Sequence, residues 1–265
     1  MDIIRAYATK NLCYIAAKKM TPKGIVVHST GANNPSLKRY VDCAEELGIN
    51  KYGNHWNTER PGGRSVCVHA FIGYDKNNKV RVAEILPLDI CCWGVGSGKK
   101  GSYNYNPPHI QFEICEDGLQ NQVYYRQAFD VAAEYCAHLC KQYRLSVGTI
   151  VGHCEAYKKG YGSNHSDPEH WMKRFGETMS DFRNLVASKL QRESENSVVV
   201  PYLVKITTSA LNIRKGAGTN TVKVGCIRDR GVYTIVEERT GAGATLWGKL
   251  KSGAGWISLD YVRKL

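Results

Sequence analysis

The 265-residue chain has no long apolar run. Its most hydrophobic stretches, such as Gly24–His28 and Val66–Gly73, fall far short of the roughly 18 residues that span a bilayer. Membrane insertion is excluded on that ground. The start, MDIIRAYATKNLCYIAAKKM, lacks an apolar core followed by a small-residue cleavage site, and Asp2, Arg5 and Lys10 break its hydrophobicity. A cleaved secretion signal is therefore not expected, and the chain is made in the cytoplasm and stays there or leaves by another route. Cysteine is too sparse for a disulfide scaffold, since ten in 265 is well under the roughly 8–10% of such proteins. Several cysteines lie in apolar runs, where the thiol packs as a small hydrophobe, so reduced buried thiols are expected. Cys136 and Cys140 stand one helical turn apart and could chelate a metal, but no second pair follows them. Disorder is excluded too, because 16 Tyr, 5 Trp and 5 Phe are too many for an unfolded chain.

Acidic residues are also in short supply. Lys plus Arg is 36 against 24 Asp plus Glu, a net charge of +12. Such an excess points to an anionic partner: nucleic acid, a membrane surface or an anionic cell wall. No nucleic-acid-binding motif accompanies it and the basic residues are scattered, so nucleic acid is not the expected partner.

What is present falls into two regions of different character. The first mixes strands and helices. Thr21–Thr30, Val66–Tyr74, Val80–Leu86, Ile110–Cys115 and Thr149–His153 read as strands, with Asp75–Asn78 as a hairpin turn. Leu37–Leu47 (ending at Gly48), Val123–Tyr143 and Trp171–Leu190 read as helices. The alternation predicts an α/β fold with a mixed central β-sheet flanked by helices. Gln191–Ser197 is polar and reads as a linker. Beyond it, short β-rich runs recur every 8 to 12 residues and predict a small all-β barrel. The expected division is 1–182, a helix end and linker at 183–200, and 201–265. Residues 201–265 carry 11 basic and 4 acidic residues, so +7 of the total charge sits in the smaller part.

Three polar groups interrupt the apolar strands. His28 closes GIVVH, His153 closes TIVGH, and Glu113 lies inside IQFEIC. Charge inside a buried strand is costly unless it is paired or bound to metal. Three such groups on one sheet suggest convergence on a site. In SNHSDPEHW, His165 and Asp167 are two apart, so an extended segment turns both the same way. His28, His153 and Asp167 offer two nitrogens and one oxygen, the three protein ligands a catalytic zinc takes while keeping one position open. Cys154 and Glu155 are alternative ligands beside His153.

VVHST, VHAFIGYD, QFEICED and GHCEAYKKGYGSNHSDPEHW together resemble the type-2 N-acetylmuramoyl-L-alanine amidases, over about residues 1–180. The phrase SNHSDPEHW is most similar to endolysins of clostridial phages and prophages. The resemblance implies the zinc amidase fold, a Zn2+ cofactor and cleavage of the amide between N-acetylmuramic acid and L-alanine. It makes His28, His153 and Asp167 the ligands, Glu113 the general base, and His165 the oxyanion donor in place of the more usual Lys. It puts His69 at a pocket-lining position and matches Trp93-Gly94 to a Trp-His pair, so the second His is missing here. Tyr105 is a further candidate for contact with the glycan.

ALNIRKGAGTNTVKVGCI and WGKLKSGAGWISLDYV resemble the bacterial SH3-like domains attached to wall hydrolases. That resemblance implies that residues 201–265 hold the enzyme on peptidoglycan and anionic wall polymers of a Gram-positive host. Tyr233, Trp247 and Trp256 are the candidate wall contacts. An endolysin held in the host cytoplasm until a membrane pore opens would account for the expected lack of a signal. The alternatives are a zinc endopeptidase on the same site and a binding protein that keeps the fold without catalysis.

Overall fold

The computed structural model describes residues 1–196 and 200–265. The chain divides into two compact units, Met1–Arg192 and Glu193–Leu265.

The first unit contains β1 (Ile3–Arg5), α1 (Leu12–Ala16), β2 (Ile25–Ser29), α2 (Ala44–Leu47), β3 (Ala70–Tyr74), β4 (Val80–Glu84), β5 (Ile110–Ile114), α3 (Gln122–Tyr143), β6 (Ile150–Gly152), α4 (His153–Lys159), α5 (Glu169–Met172) and most of α6 (Met179–Asn196). The strands form one mixed sheet in the order β1-β4-β3-β5-β2-β6. Only the β3–β4 hairpin pairs antiparallel. This is the expected mixed α/β sheet with flanking helices.

Side-chain alternation divides the sheet into two faces. Ile25, Val27, Ile110, Phe112, Ile114 and Ile150 pack in one core with the buried stripe of α3. The residues between them, Val26, His28, Gln111, Glu113 and Val151, take the opposite face. Val26 and Val151 there pack with Val95, Tyr103 and Ala156. Parallel register then aligns the polar groups. His28 pairs with Glu113, and Val27 pairs with Gly152, the residue before His153. Glu113, His28 and His153 therefore stand side by side at the carboxyl ends of β5, β2 and β6, where open α/β sheets place their ligands.

Two expected helices are shorter than the pattern suggests. Leu37–Leu47 is a single 3-10 turn at Leu37–Arg39 followed by α2. Tertiary donors take the carbonyls a continuous helix would need: Asn50 Nδ2 donates to Lys38 O at 2.8 Å, and the Trp56 N–H donates to Tyr40 O at 2.7 Å. The expected Trp171–Leu190 helix breaks at Gly176, whose φ is +71°, and α6 restarts behind Thr178. Asp181 accepts from the Thr178 N–H while its own N–H donates to Thr178 Oγ1, a reciprocal cap. α6 continues to Asn196, so residues 191–196 are helical where a linker was expected. Gln, Arg and Glu are good helix formers, and polarity alone does not make a linker. Residues 197–199 of that stretch lie outside the described residues.

The second unit is one antiparallel sheet of β7 (Tyr202–Ile206), β8 (Leu211–Arg214), β9 (Lys223–Ile227), β10 (Val232–Gly241), β11 (Ala244–Leu250), β12 (Trp256–Ser258) and β13 (Val262–Lys264). Its order is β13-β7-β10-β11-β12-β8-β9. Val204 and Ile206 near one edge share a core with Leu211 and Ile227 near the other, so the sheet curls over on itself. No helix among the described residues is long and apolar enough to cross a membrane.

Candidate active site

A cavity of about 820 Å³ opens over the carboxyl ends of β2 and β5. His28, Glu113, His153, His165 and Asp167 all line it. Three of them touch. His28 Nδ1 lies 3.0 Å from His153 Nδ1 and 3.2 Å from Asp167 Oδ2, and His153 Nδ1 lies 3.4 Å from Asp167 Oδ1. All three residues are buried.

Hydrogen bonds behind this cluster set the histidine tautomers. The Val95 N–H donates to Asn104 Oδ1 at 3.2 Å, which fixes that amide. Asn104 Oδ1 then accepts from Gln111 Nε2 at 2.9 Å, leaving Gln111 Oε1 to accept from His28 Nε2 at 3.2 Å. On the other side, Ser163 Oγ donates to Val95 O and accepts from His153 Nε2, each at 3.2 Å. Both histidines thus carry their proton on Nε2 and aim a bare Nδ1 lone pair at the other. Two lone pairs and a carboxylate repel one another at these distances unless a cation sits between them. A tetrahedral zinc with ligands at about 2.0–2.1 Å separates its donors by roughly 3.3 Å, close to what is seen here. The donor set fits the metal.

Glu113 stands beside the cluster. Its Oε2 is buried and has no partner among the described residues. Burial raises its carboxyl well above the usual range, and the Asp167 and Glu116 carboxylates push the same way. His165 is open to the cavity, with its side chain 60% exposed and its Nδ1 3.6 Å from Asp167 Oδ1. Burial and the neighbouring His153 lower its imidazole.

A family model described as N-acetylmuramoyl-L-alanine amidase matches residues 18–170, more than half of the chain. The chain belongs to this amidase family. It is an N-acetylmuramoyl-L-alanine amidase, an enzyme of peptidoglycan. The fold matches Staphylococcus aureus hydrolase AmiA in complex with its ligand, at a TM-score of 0.53 and 22% identity over 74% of this chain and 86% of that one. The PlyG catalytic domain also matches (TM-score 0.49, 21% identity, 72% of this chain and 96% of that one). So does a mutant endolysin from Bacillus subtilis (0.47, 18%, 70% and 99%). No curated protein sequence matches.

Several residues of the amidase lie elsewhere than expected. His69 is fully buried and away from the cavity. Its Nε2 donates to Ile90 O at 2.9 Å and its Nδ1 accepts the Gln111 N–H at 3.0 Å, so it clamps backbone and is not free to touch substrate. Trp93 packs beside the core cluster that contains Cys67 and Cys92, and the tryptophan on the cavity wall is Trp56. Tyr105 lies outside the cavity lining, with the Lys18 ammonium 4.4 Å from its ring centre. Glu155 forms an ion pair with Arg183 at 2.8 Å and is not in the three-residue cluster, nor is Cys154. All ten cysteines are free thiols, and burial raises Cys136 and Cys140.

In the second unit Trp247 and Trp256 are buried. Arg239 and Lys249 lie over the Trp256 ring, 5.2 and 5.9 Å from its centre. Tyr233 donates its hydroxyl to Asp229 at 2.9 Å.

The supporting groups carry no signal of their role in the sequence: Gln111 and Ser163 stand unremarked at the start of QFEICED and SNHSDPEHW, and Asn104 lies in no motif. His170 lines the cavity and pairs with buried Glu116 at 3.1 Å, which raises its imidazole. Glu116 also accepts from Ser29 Oγ at 2.5 Å.

Proposed function

We propose that the chain is a zinc-dependent endolysin that cuts the amide between the lactyl group of N-acetylmuramic acid and L-alanine. The observation that carries this is the pair of bare Nδ1 atoms facing Asp167, with unpartnered Glu113 beside them. His28, His153 and Asp167 would hold the ion. A zinc ion in such a setting supplies Lewis acidity, polarising a carbonyl and acidifying water. Glu113 receives the proton of the attacking water and returns it to the leaving amine; its raised carboxyl makes it the stronger base. His165 donates to the oxyanion, a contact worth about 3 kcal/mol in related chemistry. Residues 1–182 would carry this reaction and 201–265 would hold the enzyme on a Gram-positive wall. The +7 charge of the second part and its likeness to SH3-like domains support that role, and the likeness of SNHSDPEHW to clostridial phage endolysins supports the host class.

The test is the chemistry of the released bond. Muropeptides digested with the purified protein should show new L-alanine amino termini. A chelator should stop their appearance and added zinc restore it. A new amino terminus inside the stem or cross-bridge would make the protein an endopeptidase. No zinc content and no cleavage would make it a binding protein.

A further inference from the structure

Beside the catalytic cavity lies a second groove of about 700 Å³. Its walls carry Lys99, Lys100, Lys158 and Lys159, and no acidic residue lines it. We propose that this groove takes a carboxylate of the substrate's peptide stem. The inference rests on the amidase reading of the neighbouring cavity and extends it to the part of the substrate beyond the scissile amide.

Continuity is the first argument. Tyr157, Lys158 and Asn164 line both spaces, and Ser163, on the groove wall, lies 3.2 Å from His153. One extended molecule can therefore occupy both. Charge is the second. Lys99, Lys100 and Lys159 form no ion pair among the described residues and are exposed. Lys158 reaches back to Cys154 and feels Glu169 and Glu155. Lys99, Lys100 and Lys159 thus line the groove with no carboxylate paired to them, an excess of positive charge that favours an anion.

Construction is the third argument. Two glycine loops meet to build the groove. The Lys100 N–H donates to Gly160 O at 2.8 Å, and the Ser163 N–H donates to Val95 O at 2.9 Å. A Cβ on Gly98 would lie 2.5 Å from the Gly160 carbonyl, so only glycine lets the loops close. The lysines thus stand on a fixed frame.

Substrate chemistry then selects the anion. N-acetylated sugars are neutral, and the lactyl carboxyl is consumed in the amide that is cut. The free carboxylates of the molecule belong to the peptide. The groove marks its peptide side.

The experiment uses the full-length, zinc-loaded protein and two soluble muropeptides that differ only in having their stem carboxylates free or amidated. The variant replaces Lys99, Lys100 and Lys159 together by Gln, all exposed positions. On the free-carboxylate substrate KM should rise about tenfold, the sum of three modest ion pairs, with kcat held within about twofold. On the amidated substrate the variant should match the wild type. Equal loss on both substrates, or no change on either, overturns the proposal. So does an effect seen only on walls that bear phosphodiester polymer, which would assign the groove to phosphate. If the wild type cleaves neither muropeptide, the amidase reading fails by itself. Calorimetric binding then decides the groove: tighter binding of the free form, lost in the variant, sustains it, and equal binding overturns it.

Discussion

Replacing Gln111 by Met removes the acceptor behind His28 while nearly keeping the volume. Gln111 is fully buried, so no water is at hand to replace its Oε1. The His28 Nε2–H is left unpaired, at a cost of about 1–3 kcal/mol. The imidazole escapes by moving its proton to Nδ1 or by turning, and either change spoils the lone pair that faces Asp167. Loss of such a supporting partner lowers metal affinity about 10- to 100-fold, or about 1.4–2.8 kcal/mol. Ser163→Ala should do the same through His153. The two relays share the Val95 backbone and end on histidines 3.0 Å apart, so their effects should add only in part. Asn104→Leu lies on the same relay as Gln111, so that pair should fall well short of additive. The assay is zinc affinity by competition with a chromogenic chelator, beside the denaturant stability of the metal-free protein. If Gln111→Met binds zinc within about twofold of the wild type while only stability falls, the tautomer argument is wrong and Gln111 merely fills the core. Full additivity of the Asn104 and Gln111 substitutions would refute the relay as well.

Glu113→Gln should keep zinc and lose most turnover, whereas His28→Ala should lose both; normal wall digestion by Glu113→Gln would remove that residue from its role as base. Burial lowers the imidazoles of His69 and His109 to about 4. Their unfolded value is about 6.5, so the unfolded chain binds protons first and stability falls as pH drops from about 6.5 to 4, then levels. For His69 alone the loss is about 3 kcal/mol. Ring resonances of both histidines that stay put from pH 7.5 to 5, with a falling denaturant midpoint, are the expected signature; a flat midpoint would contradict it.

The strands and the row of polar groups at their ends were legible because their signals are local. A polar residue at the end of an apolar strand is visible in GIVVH and TIVGH, and parallel register converts those ends into neighbours. Asp167 was singled out by the family resemblance, and its spacing to His165 said only that the two face the same way. The Leu37–Leu47 helix was not legible, because what ends it is the Trp56 N–H, sixteen residues away from Tyr40. His69 shows the same limit in the site itself. It opens an apolar strand much as His28 closes one, and nothing in VHAFIG tells the two apart.

What separates the two histidines is which groups meet their ring nitrogens. Both nitrogens of His69 are met by backbone, an Ile90 carbonyl and the Gln111 N–H, so the ring is satisfied and inert. His28 and His153 have one nitrogen each met by a side chain, and the other is left bare toward its twin. Gln111 takes part in both arrangements, its backbone holding His69 and its side chain holding His28. A single strand residue thus locks His69 and orients His28. That orientation depends on partners such as Ser163 and Asn104 that sit in loops. A buried histidine of this chain is left able to hold an ion only where one nitrogen is satisfied and the other faces an anion.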